Sequence, residues 1–263
     1  MPGRIRVGVG GWSFEPWCGT FYPADLPAKR QLEHMSGRLT TVEINATFYR
    51  TQSADTFRRW AAETPDDFVF TVKAHRMSTS RKTPEEMKDS IDWFLGSGVL
   101  ELGDKLGPVN WQFPPYRRFD PAYFDAFLGL LPKERDGRRL RHALEVRHIG
   151  FQTPEFVDLL REHDAAVVFT DAEDWPTIAD PTTDFVYARL QRTKEEVETG
   201  YTAEELDYGV AAFRAWAEGG VPPTLPQVAP TPAPQVPRDV FVFMISGAKV
   251  RNPAAAEALL ARL

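Results

Sequence analysis

Charged and amide side chains recur near the ends of segments that otherwise read as β-strands, and they define the chemistry open to this chain. Glu43 and Asn45 follow Thr41-Val42. Lys73 and His75 close the run that starts at Asp67, and Gln112 closes the run from Leu106. Glu145 and Arg147 lie in His142 to His148, Asp171 ends the run from Ala165, and Arg189 lies in Phe185 to Gln191. Glu43, Glu145 and Lys73 are the candidate catalytic groups, since two carboxylates beside an amine can act as general base and acid. Arg147 and Arg189 could bind an anionic group such as phosphate or carboxylate, and Trp12 and Tyr49 could form flat apolar walls. Trp12, Asn45, Tyr49, His75, Gln112, Arg147, Asp171 and Arg189 are therefore the candidate substrate-binding residues. A divalent metal on Glu43, Glu145, Asp171 and His75 is a further option, although no fixed ligand spacing names the metal. The plain alternative is a set of paired charges that only fills the interior. No G-x-S-x-G, H-E-x-x-H or P-loop pattern is present.

These residues need elements that bring them together. Alternate side chains of a strand point to opposite faces, so Glu43 and Asn45 oppose Val42 and Ile44, and Lys73 and His75 oppose Val72. Eight such segments are found, the last running from Asp239 to Ser246. Helical spacing and capping signals separate them, including Thr83-Pro84-Glu85-Glu86, Asp120-Pro121, Thr153-Pro154 and Thr202 with Glu205. The third helix is expected to run to about Leu100. Repeated βα units imply a parallel sheet, and eight of them in 263 residues match a single closed (β/α)8 barrel. In a barrel the inward side chains at the C-terminal strand ends line the mouth, which is where the polar residues fall. Residues 221–238 are Pro-rich and read as an extended or disordered insertion before the last strand. The aromatic cluster Trp12, Phe14, Trp17, Phe21 and Tyr22 reads first as a lid packed on the core.

Composition narrows the classes. The apolar fraction of 43% and charged fraction of 26% are those of a globular protein, and no apolar run is long enough to span a membrane. No signal-peptide core opens the chain, so a cytoplasmic location is expected. Cys18 is the only cysteine, which excludes an intrachain disulfide. A net charge of -6 argues against a non-specific nucleic-acid binder, and the basic pairs such as Arg58-Arg59 and Arg138-Arg139 read as solvated faces.

Several motifs occur in a telling order: Gly10-Gly11-Trp12-Ser13, Phe21-Tyr22-Pro23, Val42-Glu43-Ile44-Asn45-Ala46-Thr47-Phe48-Tyr49, Phe70-Thr71-Val72-Lys73-Ala74-His75, Leu102-Gly103-Asp104-Lys105-Leu106-Gly107-Pro108, Gln112-Phe113-Pro114-Pro115 and Ala143-Leu144-Glu145-Val146-Arg147-His148. Together they resemble the YecE-like family, domain of unknown function 72, over roughly Arg4 to Arg189. The resemblance implies an irregular TIM-type barrel. It implies no settled activity, and likeness to sugar isomerases and metal-dependent apurinic endonucleases is fold-level analogy. Two departures stand out. The family usually carries His-Gly where Gln191-Arg192 stands. It also usually has an Asn-Asn-Asp run with a downstream Asn-Ala, where Met244-Ile245-Ser246-Gly247 and Ala255-Ala256 stand.

Three functions follow as expectations. The first is an enzyme, a hydrolase or isomerase, acting on a small anionic or sugar-like substrate. The second is a nucleic-acid-processing or binding protein with aromatics able to stack bases. The third is a non-catalytic scaffold that docks partners along its Pro-rich segment.

Overall fold

The eight apolar segments form one closed parallel barrel in the computed structural model, which describes residues 1–263. Its strands are β1 (Ile5–Gly10), β2 (Thr41–Ile44), β3 (Val69–Lys73), β4 (Leu106–Gln112), β5 (His142–Glu145), β6 (Ala166–Thr170), β7 (Phe185–Leu190) and β8 (Asp239–Met244). Sequence neighbours pair in order, and β8 closes onto β1 with Ile5 opposite Val240 and Val9 opposite Met244. One irregularity matters for the site. The β3–β4 register shifts between Phe70 and Val72, so that Lys73 stands opposite Asn110.

Seven helices pack outside: α1 (Gln31–Ser36), α2 (Ala54–Ala62), α3 (Pro84–Leu95), α4 (Pro121–Gly129), α5 (Pro154–Glu162), α6 (Ala203–Ala217) and α7 (Asn252–Leu260). Ser53, Thr83, Asp120, Thr153 and Thr202 accept first-turn backbone N–H groups of α2 to α6, each cap contributing about 1 kcal/mol. α3 stops short of Leu100. Gly96 caps it, and Gly98 takes φ 107° with its Cα so close to α2 that a Cβ would lie 2.6 Å from the Ala54 Cα. A 3-10 segment, Val99–Lys105, then leads into β4. The second strand is also shorter than its pattern, because Ala46–Phe48 turns into a 3-10 helix pinned by Thr47, whose hydroxyl donates to the Lys73 carbonyl at 2.7 Å.

No helix separates β6 from β7. The Pro-rich segment covers that gap as an ordered strap, not as a disordered insertion. Leu225, Val228 and Ala229 pack against the core, and the Ala179 N–H donates to the Pro226 carbonyl at 3.1 Å. The buried Asp180 carboxylate accepts the backbone N–H groups of Val228 at 2.7 Å and Ala229 at 3.0 Å. The buried Arg238 donates to the carbonyls of Pro234 and Gly220 and anchors the far end.

The barrel interior has two zones. Its N-terminal part is an apolar plug that includes Val69, Phe185, Phe241 and Phe243. Arg141 closes the bottom over the Phe241 ring at 4.9 Å and pairs with Asp239. The C-terminal part is polar. No helix of the protein is long and apolar enough to cross a membrane.

If Asp180 tethers the strap, Asp180→Ala strands two backbone donors against the core. It should lower the free energy of unfolding by about 1–3 kcal/mol in urea titration, whereas Glu85→Ala on exposed α3 should leave it nearly unchanged.

Candidate functional site

The polar zone is assembled by strand alternation. Glu43 on β2, Thr71 and Lys73 on β3, Asn110 and Gln112 on β4, Glu145 on β5, and Tyr187 and Arg189 on β7 all project inward. Arg189, 2% exposed, bridges the two carboxylates. Its Nη2 donates to Glu43 Oε1 at 3.0 Å and its Nη1 to Glu145 Oε2 at 2.6 Å. Asn110 Nδ2 also joins them, at 3.1 Å to Glu43 and 3.3 Å to Glu145. Tyr187 donates its hydroxyl to Glu43 Oε2 at 2.6 Å and shares a 2.9 Å hydrogen bond with Thr71. Arg147, just past β5, donates from Nε and Nη2 to Glu145 Oε1 at 3.0 and 2.7 Å, and from Nη2 to Gln112 at 2.8 Å. Above it Trp175, from the β6–β7 loop, lies with its ring 4.9 Å from the guanidinium.

Electrostatics follow from this pairing. Burial alone would push the Glu145 carboxyl up, but Arg189, Arg147 and Lys73 overcome it and hold the group at about 2. Burial raises the Tyr187 phenol well above its ordinary value, and neighbouring Glu43 adds to the effect. Tyr187 is therefore a neutral donor. Arg189 is kept charged by Glu145 and Glu43 against the cost of burial.

Lys73 stands apart. It is 8% exposed, and its Nζ lies 4.4 Å from the centre of the Phe48 ring without an ion pair or hydrogen bond to the protein. Burial, reinforced by Arg189 and Arg147 and partly offset by Glu145 and Glu43, brings its ammonium down to about 8. Two carboxylates and two guanidiniums balance in this network, which leaves Lys73 as its unbalanced cation. Two polar atoms of the network are buried without partners, Asn110 Oδ1 and Arg189 Nε.

The other candidates are placed elsewhere. Asn45 lies just past β2 with its amide over Gly10, where a Cβ would come within 2.6 Å of Asn45 Nδ2. His75 is spent on the backbone, its Nε2 facing the Tyr49 carbonyl at 3.2 Å and its Nδ1 accepting the Met77 N–H at 3.3 Å, with its ring against Trp93. Trp12 packs edge-on against Trp60 of α2, and Tyr49 is 69% exposed beside Phe48. Asp171 accepts from the Gln191 N–H at 2.6 Å and the Tyr201 hydroxyl at 2.8 Å, and burial raises its carboxyl. It borders a hollow of about 350 Å³ between α6 and the outer face of β6 and β7, lined by Phe169, Leu190, Phe213 and Leu225. That hollow lies where the helix after β6 is missing and is separate from the charged network.

Of the aromatic cluster after β1, Trp17, Phe21 and Tyr22 are buried, and Trp17 Nε1 donates to the Lys249 carbonyl at 2.9 Å. The metal option loses its ligands. Glu43 and Glu145 are fully engaged by donors, Asp171 and His75 are committed elsewhere, and no three His, Cys, Asp or Glu residues gather as a metal-binding group. The residues present do not fit a divalent ion. Asn110, Tyr187 and Thr71 belong to the network although the sequence did not single them out. Each lies two residues before a residue of the same inner face, Gln112, Arg189 and Lys73, and that spacing was the available signal.

Residues 6–263 match the family described as "Protein of unknown function DUF72". The chain belongs to this family. It is 28% identical over 176 residues to "UPF0759 protein YunF" of Bacillus subtilis (strain 168), covering 65% of this chain and 58% of that protein. It is 27% identical over 150 residues to "UPF0759 protein YecE" of Escherichia coli (strain K12), covering 56% of this chain and 50% of the other. The aligned part thus spans only about half the length of these curated relatives. A DUF72 family protein from Thermotoga maritima MSB8 has the same fold, with TM-score 0.72, 24% identity and coverage of 98% of both chains.

Two outcomes follow from the pairing. Arg189→Met leaves the buried Glu43 without a cation and Glu145 with Arg147 alone, and should cost about 3–5 kcal/mol at pH 7 by chemical denaturation. Lys73→Met should do the opposite. The folded state holds the ammonium at about 8 against an ordinary 10.5, so its charge destabilises the native protein below pH 8. The variant should gain roughly 1–3 kcal/mol at pH 7, and the gain should fade as pH rises from 8 to 10.5.

Proposed function

We propose that the protein is an enzyme acting on a small anionic or sugar-like substrate at the C-terminal end of the barrel, with Lys73 as its reacting group. The observation that supports this reading is the state of Lys73 itself. A buried lysine without a counter-ion costs stability, and here two carboxylates lie in the same network but are held by Arg189, Arg147, Asn110 and Tyr187 instead. An amine brought down to about 8 keeps a larger neutral fraction at physiological pH than an ordinary lysine, and that fraction can move protons or attack carbon.

The roles then divide. Glu43 and Glu145 act as fixed anions that orient Arg189 and Arg147, and Glu145 at about 2 is too acidic for efficient proton transfer near pH 7. Lys73, being the unbalanced cation, attracts a phosphate or carboxylate. Trp175 lies over Arg147 at the rim of the same network, its ring 4.9 Å from the guanidinium.

A second reading has its own support. The complete pairing of Glu43 and Glu145 is also what a barrel serving as a non-catalytic scaffold would display. The two readings part at Lys73. Inorganic phosphate, sugar phosphates and small carboxylic acids should be titrated against the native protein and Lys73→Met. The enzyme reading expects at least one ligand to bind about tenfold more weakly to the variant. Its affinity should fall, and any turnover rise, as pH passes about 8 and the ammonium loses its proton. Equal behaviour of the two proteins with every ligand would favour the scaffold.

A further inference from the structure

We propose that Lys73 forms an imine with the carbonyl carbon of a small substrate that also carries a carboxylate or phosphate. The inference rests on the assignment of Lys73 as the reacting group and adds the bond it makes and the substrate class.

The geometry separates a nucleophile from a structural cation. A lysine retained for an ion pair would meet a carboxylate, yet Lys73 meets the face of Phe48, while Arg189 holds both nearby carboxylates. Unlike Arg189 Nε and Asn110 Oδ1, the Lys73 ammonium is not wholly cut off from solvent, although the residue is buried. Asn110, its register partner on β4, keeps Oδ1 free. That oxygen can accept a hydrogen bond from an N–H or O–H formed at this level of the barrel.

The reaction needs no oxidant or reductant. Lys73 gives up one ammonium proton, and its nitrogen lone pair forms a C–N bond while the carbonyl π electrons move to oxygen. That oxygen takes up the released proton, the nitrogen sheds its second proton, and a neutral carbinolamine results. The C–O bond then breaks with uptake of the second proton, water leaves, and the nitrogen lone pair forms the C=N bond of an iminium. Ammonium plus carbonyl thus become iminium plus water with charge conserved. An iminium draws electrons from its neighbouring carbon and allows proton removal or carbon–carbon cleavage there.

Charge selects the substrate. Because Glu43 and Glu145 are already balanced by Arg189 and Arg147, nothing in the network neutralises an iminium at Lys73. A substrate bringing its own anion supplies the missing charge, and a neutral ketone does not. An oxo acid or a phosphorylated aldehyde or ketone meets both requirements.

The test is reductive trapping. Full-length protein is incubated with glyoxylate, pyruvate or dihydroxyacetone phosphate and cyanoborohydride, followed by intact mass and peptide mapping. An adduct is expected on Lys73 with at least one of them, about an order of magnitude above any other lysine, since near pH 7 its free-amine fraction exceeds theirs. The adduct should vanish in Lys73→Met, and acetone should give none. Labelling spread over surface lysines, or unchanged total labelling in Lys73→Met, overturns the proposal. Acetylation of Lys73 by acetic anhydride, with and without inorganic phosphate, separates the two levels. Protection by phosphate without any trapped adduct overturns the imine and leaves the anion-binding enzyme standing, whereas neither protection nor trapping overturns both.

Discussion

One guanidinium holds the upper half of the barrel together. Arg189 is buried between Glu43 and Glu145, which come from strands on different sides of the mouth. Charges removed from water to this degree are tolerable only when each is paired and its remaining hydrogen-bonding capacity is used. That condition explains the neighbouring residue types. Asn110 supplies an amide to both carboxylates, Tyr187 supplies a hydroxyl to Glu43, and Arg147 completes Glu145 from the rim. The same condition marks the exceptions. Lys73, Asn110 Oδ1 and Arg189 Nε are left without protein partners, and at these groups the interior stops being self-sufficient.

Tyr187 connects this network to the plug beneath it. Its ring lies 5.0 Å from that of Phe243, inside the apolar zone, while its hydroxyl reaches Glu43. A phenylalanine would fill the same volume but leave one Glu43 oxygen short of a donor, and a smaller polar residue would leave a void among Phe185, Phe241 and Phe243. The boundary between the packed base and the polar mouth therefore runs through a single side chain. Helix positions outside matter less to the site, since they act through the outward residues of the same strands.

The sequence showed the fold more fully than the site. Period-two alternation and capping signals such as Thr83 with Glu86 and Thr202 with Glu205 are local, and they correctly marked the strands and helix starts. Glu43, Lys73, Gln112, Glu145, Arg147 and Arg189 were recognised because charge late in a strand breaks a local rule. Which of them pair with each other was not legible. Pairing depends on the barrel's closure and on the register shift that sets Asn110 opposite Lys73, and both are non-local. Extending the alternation past the strand ends failed at His75 and Asn45, because the chain turns after Lys73 and Ile44 and period two no longer applies. The Pro-rich strap was legible as extended chain but not as packed chain. Its contacts with Ala179 and Asp180 exist only because a helix is missing elsewhere.

Gln191, Arg192 and Ser246, at the ends of β7 and β8, fall on one side of the mouth and are satisfied within that side. Gln191 Nε2 donates to the Thr170 hydroxyl at 2.9 Å, and Ser246 donates to Gln191 Oε1 at 3.1 Å. Arg192 pairs with Glu173 at 3.0 Å, and the backbone of Gln191 is fixed by Asp171. These residues thus form a closed polar ladder across β6, β7 and β8 that shares no hydrogen bond with Glu43, Lys73 or Glu145. A change confined to such a ladder alters the shape and polarity of the rim without disturbing the charges at the floor.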